Sequence, residues 1–482
     1  MKNLIFITIP ELDVAIPPPA VAALRPIVTG SGWDMKHVDL NLELQSQLDS
    51  HEWQQLLSYC ELAKDTLDDH LWNKIAAISI KHVRSHIDEY TAILAFSIFS
   101  IYSIRIAGRI LPLMRDHFPD LSFLCGGNAL SSSIDGSKQI FGEKILHEGW
   151  AHNVIYGEGE VALKHFLQGD LLHPGINVAN NQQIEDLDSL PFADYRGMDL
   201  DRYSGKRLLL TGSRGCVRDC TFCDIATVWP KFRYRSAALL VEEMRKNFYE
   251  TGIDRFEFTD SLINGSTKNF RKFNELLYDA KQKDPALSGI TYSGQFICKQ
   301  STNMVPEIYE LMHLAGCKQI TVGIESFSEH IRFHMRKKFT NADIDYHLEQ
   351  CAKWALPNVF LMIIGYPIET SEDHAYTLDC LRKYQRFGQM DVISYLRWGL
   401  TMHIYEDTPL SKMMDDLGID AGIHNVRDGL YAWNSILNPG LTLQERIKRR
   451  LEVHELSYEL GYKMPMVNAE LMSLKALAEG LS

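Results

Sequence analysis

Short, uniformly apolar runs alternate along this chain with longer amphipathic stretches. Residues 4–9 (LIFITI) form the first run, closed by Pro10. The prolines at 17–19 open AVAALRPIVTGSG, a helical pattern ended by Gly30 and Gly32, and a second strand follows over Met35–Leu40. Residues 50–90 carry Trp53, Leu56, Leu57, Leu62 and Leu67 at mixed three- and four-residue spacings, which predicts helix. Further apolar runs are TAILAFSIFS (91–100), followed by a helix to about His117, then LSFLCGG (121–127) and HNVIYGEGE (152–160). Strands that are apolar throughout and separated by helices imply a parallel sheet covered on both faces. Residues 1–170 are therefore read as a doubly wound, Rossmann-like α/β domain.

Periodicity fails over 171–205, where HPGINVANNQQIEDLDSLPFADYRGMDLDRY suits a linker. Alternation resumes with LLLTG (208–212), FEFTD (256–260), GITYSG (289–294), QITVGIE (319–325), VFLMIIG (359–365) and DVISYLRWGL (391–400). Helical stretches such as AALLVEEMRKNFYETG (237–252) separate them. Six strand–helix units are too few for a closed eight-stranded barrel, so residues 206–410 are read as a curved partial (β/α)6 barrel. The tail, 411–482, is read as mostly helical.

Composition narrows the class without changing the fold. Of 482 residues, 45% are hydrophobic and 23% charged, the balance of an ordinary globular protein. Acidic side chains outnumber basic ones, 62 to 49, for a net charge of −13, which disfavours a general nucleic-acid surface. Apolar runs are too short for a membrane span. The N-terminal run is read as a strand and not as a secretory signal. Nine cysteines, an odd and scattered set, argue against a disulfide framework and for a reducing cytoplasm. Six of them, Cys60, Cys125, Cys298, Cys317, Cys351 and Cys380, are isolated and read as packing.

The other three stand together in Gly212-Ser-Arg-Gly-Cys216-Val-Arg-Asp-Cys220-Thr-Phe-Cys223, on the loop after the first barrel strand. Three thiolates on one tight loop can face one centre, and thiolates select soft metals and iron–sulfur clusters. A structural zinc site usually takes four protein ligands, yet no cysteine or histidine follows Cys223 before Cys298. A cluster with three protein ligands leaves one iron open to a small molecule. Trp229, Phe232 and Tyr234 are placed either to shield such a centre or to pack in a core. Lys337-Lys338 and Lys448-Arg449-Arg450 read as solvated helix faces, and His403 and Tyr405 fall near the expected barrel mouth.

Cys-x3-Cys-x2-Cys with Phe222 before its last cysteine resembles the radical S-adenosylmethionine (SAM) superfamily. SRGCVRDCTFC, with GGN (126–128), GEGE (157–160), LPFADY (190–195), GIES (323–326) and GYPIET (365–370) in order, resembles its subgroup with an N-terminal cobalamin-binding domain. The resemblance covers roughly residues 1–410. It implies a [4Fe-4S] cluster on Cys216, Cys220 and Cys223 whose open iron chelates SAM, and reductive cleavage of SAM to methionine and a 5′-deoxyadenosyl radical. Carried over by position, Phe222 lies against the adenine side of SAM. Asp260 stands where a Gly-Gly-Glu-like element receives the SAM amino group, although the glycines are absent. Ser293, Gln295 and Glu325 occupy strand ends, Glu325 at the position that binds the ribose or amino-acid end. Gly365, with Pro367 and Glu369, shapes the approach to adenine. An electron donor such as a flavodoxin or ferredoxin is implied, and the substrate, small or peptidic, is not readable.

The N-terminal domain has no histidine between Met1 and His37, which excludes a cobalt-ligating histidine from the first loop. Candidates for the cobalamin nucleotide tail are Ser97 with Ser100 or Ser103, Gly126 and Gly127, and Gly157 and Gly159, all at strand ends where backbone can approach a ligand. The reading this supports is cobalamin-dependent methylation of an unactivated carbon, or a related radical rearrangement. The alternatives are a radical SAM enzyme whose N-terminal domain is a scaffold, and a non-catalytic metal-binding module. A methylthiotransferase is disfavoured, because the N-terminal domain offers only Cys60 and Cys125.

Overall fold

The computed structural model describes residues 1–10, 14–60, 66–132, 139–179, 183–399, 402, 404–405, 408–419, 424–427 and 430–464, with backbone alone for 424–427 and 430–432. His403 and the tail beyond 464 lie outside the described residues. The chain divides into two compact units, Met1–Leu209 with Arg245–Ile253, and Leu210–Met244 with Asp254–Ser482.

In the first unit, strands β1 (Asn3–Thr8), β2 (Asp34–Asp39), β3 (Thr91–Ser97), β4 (Ser122–Gly126) and β5 (Asn153–Ile155) form one parallel sheet in the order β2-β1-β3-β4-β5. All six residues of β1 are buried, as a central strand with both faces covered must be. Helices α1 (Pro19–Gly30), α2 (Asp69–His86), α3 (Ser103–His117) and α4 (Gly159–Leu167) belong to the same unit. The Asp68 carboxylate starts α2 by accepting the His70 and Leu71 N–H groups. Because the chain leaves β1 for β2 on one side and β3 on the other, the carboxyl ends of β1 and β3 bound the crevice in which such sheets bind ligands.

The second unit carries β6 (Leu208–Leu210, at the boundary), β7 (Arg255–Phe258), β8 (Thr291–Phe296), β9 (Cys317–Glu325), β10 (Asn358–Met362) and β11 (Ile393–Trp398). They form a six-stranded sheet in simple sequence order, parallel from β7 to β11, as the partial-barrel reading requires. Between the strands lie α5 (Ala237–Thr251, which crosses the unit boundary), α6 (Thr267–Lys283), α7 (Pro306–Ala315), α8 (Asn341–Lys353) and α9 (Ser371–Lys383). Both α8 and α9 begin with reciprocal capping boxes, Thr340 with Asp343 and Thr370 with Asp373. The described part of the tail carries the expected helix together with a short strand pair. An antiparallel pair, His424–Arg427 with Leu430–Ala432, precedes the one long helix described there, α10 (Leu443–Glu459). Among the described residues no helix is long and apolar enough to cross a membrane.

Candidate functional site

A parallel sheet sends every strand's carboxyl end to one edge, so the segments after β6, β7, β8, β9 and β10 share a rim. Cys216, Cys220 and Cys223 sit on an irregular loop after β6, Cys220 buried and the others half-buried. Backbone freedom makes the loop possible. Gly215 has φ +82°, and a Cβ there would fall 2.4 Å from the Lys231 carbonyl oxygen. A two-residue ladder, Ser213 opposite Tyr234 and Arg214 opposite Arg233, closes the loop's base. Thr221, between the second and third cysteines, is anchored at three points. Its N–H donates to the Met335 carbonyl (3.3 Å), its carbonyl accepts from the Leu410 N–H (2.7 Å), and its hydroxyl bonds the Tyr366 hydroxyl (2.7 Å). That hydroxyl also meets His334 Nδ1 at 2.9 Å.

Burial raises the pKa of all three thiols, Cys223 to about 11; Cys216 raises Cys220 further, and both raise Cys223. The Lys337 ammonium opposes this at Cys216 and Cys220, and the Arg218 N–H donates to Cys216 Sγ at 3.4 Å. Among the described residues no three His, Cys, Asp or Glu side chains are gathered tightly enough for a single ion. The donor set does fit an iron–sulfur cluster, which offers each thiolate its own iron and whose positive charge displaces the thiol protons.

Lys337 was expected on a solvated face. It is instead buried, its Nζ 2.9 Å from Glu325 Oε1, 3.0 Å from the Gly323 carbonyl oxygen and 5.6 Å from the Phe222 ring centre. Glu325 ends β9 at φ +66°, and Arg336 (+62°) and Lys338 (+55°) flank Lys337, three non-glycine residues in the left-handed region. Gly323 makes room for the pair, since a Cβ there would lie 2.3 Å from Glu325 Oε1. A lysine in a dibasic run gave no sign of this. The only trace in the sequence is the Gly-x-Glu of β9.

Asp260 is also buried. Oδ1 accepts the Gly212 N–H (2.7 Å) and Oδ2 the Ser213 hydroxyl (2.6 Å), so both oxygens tie the exit of β7 to the start of the cysteine loop, a structural role the sequence did not announce. Burial pushes its pKa up to about 7. A small cavity lined by Gly212, Ser213, Phe232, Phe258, Asp260 and Ile263 adjoins it, and Phe232 packs there. On β8, Ser293 is half-buried and Gln295 exposed. Gly365, past the end of β10, has φ +78°, donates its N–H to Glu369 Oε2 at 3.0 Å, and has the Arg446 stem where a Cβ would be. Arg449 and Arg450, expected to be solvated, are buried as well.

In the first unit the strand-end candidates divide. Nothing lies within 4 Å of a Cβ built on Gly126, and Gly159 meets only one methyl at 3.9 Å, so both leave the backbone approachable. Gly157 turns with φ +71°. Gly127 is glycine for a packing reason, because its Cβ would fall 2.3 Å from the Ile98 carbonyl oxygen. Ser97 is buried at the end of β3. Ser103 is a correction: it has no exposure, and its hydroxyl donates to the Pro10 carbonyl at 3.1 Å, which binds α3 to the end of β1 and withdraws it from any ligand. Between them Phe99, Ile101 and Tyr102 stand 54, 54 and 42% exposed, an apolar rim the sequence reading passed over.

Residues 210–381 match the radical SAM superfamily. An uncharacterized methyltransferase of Pyrococcus horikoshii is 25% identical over 252 residues, 48% of this chain and 52% of that protein. The chain spans about half the length, or less, of the curated relatives it matches first. Among solved structures, the radical SAM methyltransferase TsrM from Kitasatospora setae, with cobalamin and a [4Fe-4S] cluster bound, superposes with a TM-score of 0.64 at 15% identity, covering 89% of this chain and 82% of that one. The cobalamin-dependent SAM radical enzyme OxsB, with aqua-cobalamin and SAM bound, gives 0.67 at 16% identity, covering 100% and 71%. At these identities the likeness is one of fold.

Proposed function

We propose that this chain, a member of the radical SAM superfamily through its residues 210–381, is a cobalamin-dependent methyltransferase acting on an unactivated carbon. The observation that carries the reading is one juxtaposition: three thiols on a single loop, two of them under the influence of Lys337, which is itself buried in an ion pair with Glu325. Cys216, Cys220 and Cys223 would hold a [4Fe-4S] cluster. When bound, that cluster supplies the electron for reductive cleavage of SAM, and cobalamin supplies a methyl carrier.

The protein's own part is placement. Glu325 and Lys337 present one negative and one positive group, complementary to the ammonium and carboxylate of the SAM amino acid. The left-handed backbone on both sides holds them where relaxed strands would not. Phe222 would offer a ring, and the Gly365 peptide a fixed left-handed turn, to the adenosine end, while Ser293 and Gln295 supply polar groups on β8. The approachable glycines Gly126 and Gly159 and the apolar rim of Phe99, Ile101 and Tyr102 suit a large, amide-fringed macrocycle at the sheet edge. A flavodoxin or ferredoxin would supply the electron.

The commitment of Ser103 and Gly127 to packing favours a second reading, in which the first unit is a scaffold without cobalamin. Anaerobic reconstitution separates the readings. With iron, sulfide, dithionite and SAM, 5′-deoxyadenosine should form, and Cys220→Ala should abolish both the cluster's visible absorbance and that product. Iron bound to a folded chain without 5′-deoxyadenosine would leave only a metal-binding module. Loss of corrinoid absorbance on gel filtration would select the scaffold reading.

A further inference from the structure

Helix α10 presents an arrangement its sequence does not announce. Arg446, Arg449 and Arg450 are 0, 4 and 2% exposed, three guanidinium groups buried within five residues. Taking such charges out of water is expensive unless each is hydrogen-bonded, so the partners are informative. Arg450 donates to the carbonyls of Trp398 (3.0 Å) and Gly399 (2.8 Å), the exit of β11. Arg446 lies 3.8 Å over the Trp433 ring and donates to the Trp433 carbonyl at 3.0 Å, and its stem fills the space beside Gly365. Arg449 donates to Glu369 Oε1 at 3.0 Å and to the Glu369 and Thr370 carbonyls at 3.2 and 3.1 Å.

Glu369 turns its other oxygen to the Gly365 N–H. A continuous path therefore runs from α10 through Arg449 and Glu369 to a glycine peptide at φ +78°. A hydrogen bond between His374 Nε2 and Glu452 Oε2, at 2.7 Å, docks the same helix on α9. The helix thus grips the exits of the last two barrel strands.

We propose that Arg449 is a positioning residue for the adenosine end of SAM. By fixing the Glu369 carboxylate it holds the Gly365 peptide in its left-handed turn, which makes α10 part of the cofactor-binding machinery. The inference rests on the reading of Gly365 as an adenosine contact. Without the guanidinium, Glu369 is a buried carboxylate with no cation, and the peptide it anchors is free to relax.

The test uses the full-length, cluster-loaded chain and S-adenosylhomocysteine, which carries the adenosine but no sulfonium and is not consumed. Arg449→Met should weaken binding at least tenfold by calorimetry, with iron content and the electron paramagnetic resonance spectrum of the ligand-free reduced cluster unchanged. Arg449→Lys should restore most of the affinity. Glu369→Gln, whose amide oxygen still accepts the Gly365 N–H, should fall between. Lys448→Met, at an exposed neighbour, should bind as the parent does. If Arg449→Met does not fold, the Lys and Gln variants carry the test. Affinities equal to the parent's in folded Arg449 or Glu369 variants overturn the proposal. A parent chain that binds no S-adenosylhomocysteine overturns instead the reading of the site on which the proposal rests.

Discussion

Replacing Lys337 with Met keeps the length of the side chain and removes its charge, and the structure sets the size of the effect. At 2.9 Å the gross attraction between Lys337 and Glu325 is about 6 kcal/mol for an effective dielectric near 20. Part of that is offset by desolvation, and the net loss on removing one member of a buried pair is about 3–5 kcal/mol, because the other charge stays buried alone. Glu325 is 7% exposed and cannot reach water without leaving the rim. Residues 325, 336 and 338 also hold left-handed conformations that cost roughly 1–2 kcal/mol each, comparable in sum to what the pair contributes. Lys337→Met should therefore release the 325–338 segment before the rest of the sheet. Hydrogen exchange with mass spectrometry should show peptides over 323–340 losing protection while those from β8 keep theirs. The effect should be nearly independent of salt, as befits a pair shielded from solvent. Adding Glu325→Gln removes the stranded charge and should restore at least half of the lost stability. A single variant costing under 1 kcal/mol, or a double variant no better than the single, would refute the claim that the ion pair holds this strained turn.

Three further outcomes are expected. Asp260 titrates near 7 in the folded chain because of its burial, against an ordinary value near 4. Between those pH values the native state keeps a proton that the unfolded chain releases, so stability should fall as pH rises from about 4 to 7. Asp260→Asn mimics the protonated form and should flatten that slope and raise the urea midpoint at pH 8; an unchanged slope would place the titration elsewhere. Tyr366→Phe strips the hydroxyl shared by Thr221 and His334 and should cost about 1–3 kcal/mol. The same variant should speed cluster loss on chelator challenge, and parent-like retention would show that Thr221's two backbone anchors suffice. Gly127→Ala places a methyl 2.3 Å from the Ile98 carbonyl oxygen at φ +123°, so thermal unfolding should show the first unit destabilised by about 3 kcal/mol or more. An undisturbed melting profile would contradict that packing.

What the sequence revealed follows from where the information sits. Strand β1 could be read because all six residues are buried between helix layers, so the apolar run is continuous and bounded by a proline. The cysteine loop could be read because all its donors lie within eight residues. The order β2-β1-β3-β4-β5 could not, because register and crossover depend on contacts between distant segments. Ser103 misled for a related reason: a serine at a strand-end loop suits a ligand, but its direction is set by Pro10, 93 residues earlier. Asp260 stands at the strand end where it was expected, but its bonds to the Gly212 N–H and the Ser213 hydroxyl, 48 and 47 residues away, could not be read from the sequence.

Three buried cations, Lys337, Arg449 and Arg450, were hidden from the sequence by one cause. All three stand in runs of cations, and hydrophobic periodicity assigns such runs to solvent. Each is buried because a partner distant in sequence receives it: Glu325 for Lys337, Glu369 at a separation of 80 residues for Arg449, and the β11 carbonyls for Arg450. These partners are not scattered. They lie at the carboxyl end of β9, on the loop after β10 and at the exit of β11, where the sheet's hydrogen bonding stops and carbonyls and carboxylates need other donors. A parallel sheet creates that demand at one edge, and the same edge carries its chemistry. Cations buried at this rim therefore satisfy the fold through partners distant in sequence, so a local pattern that sees only their charge will place them in solvent.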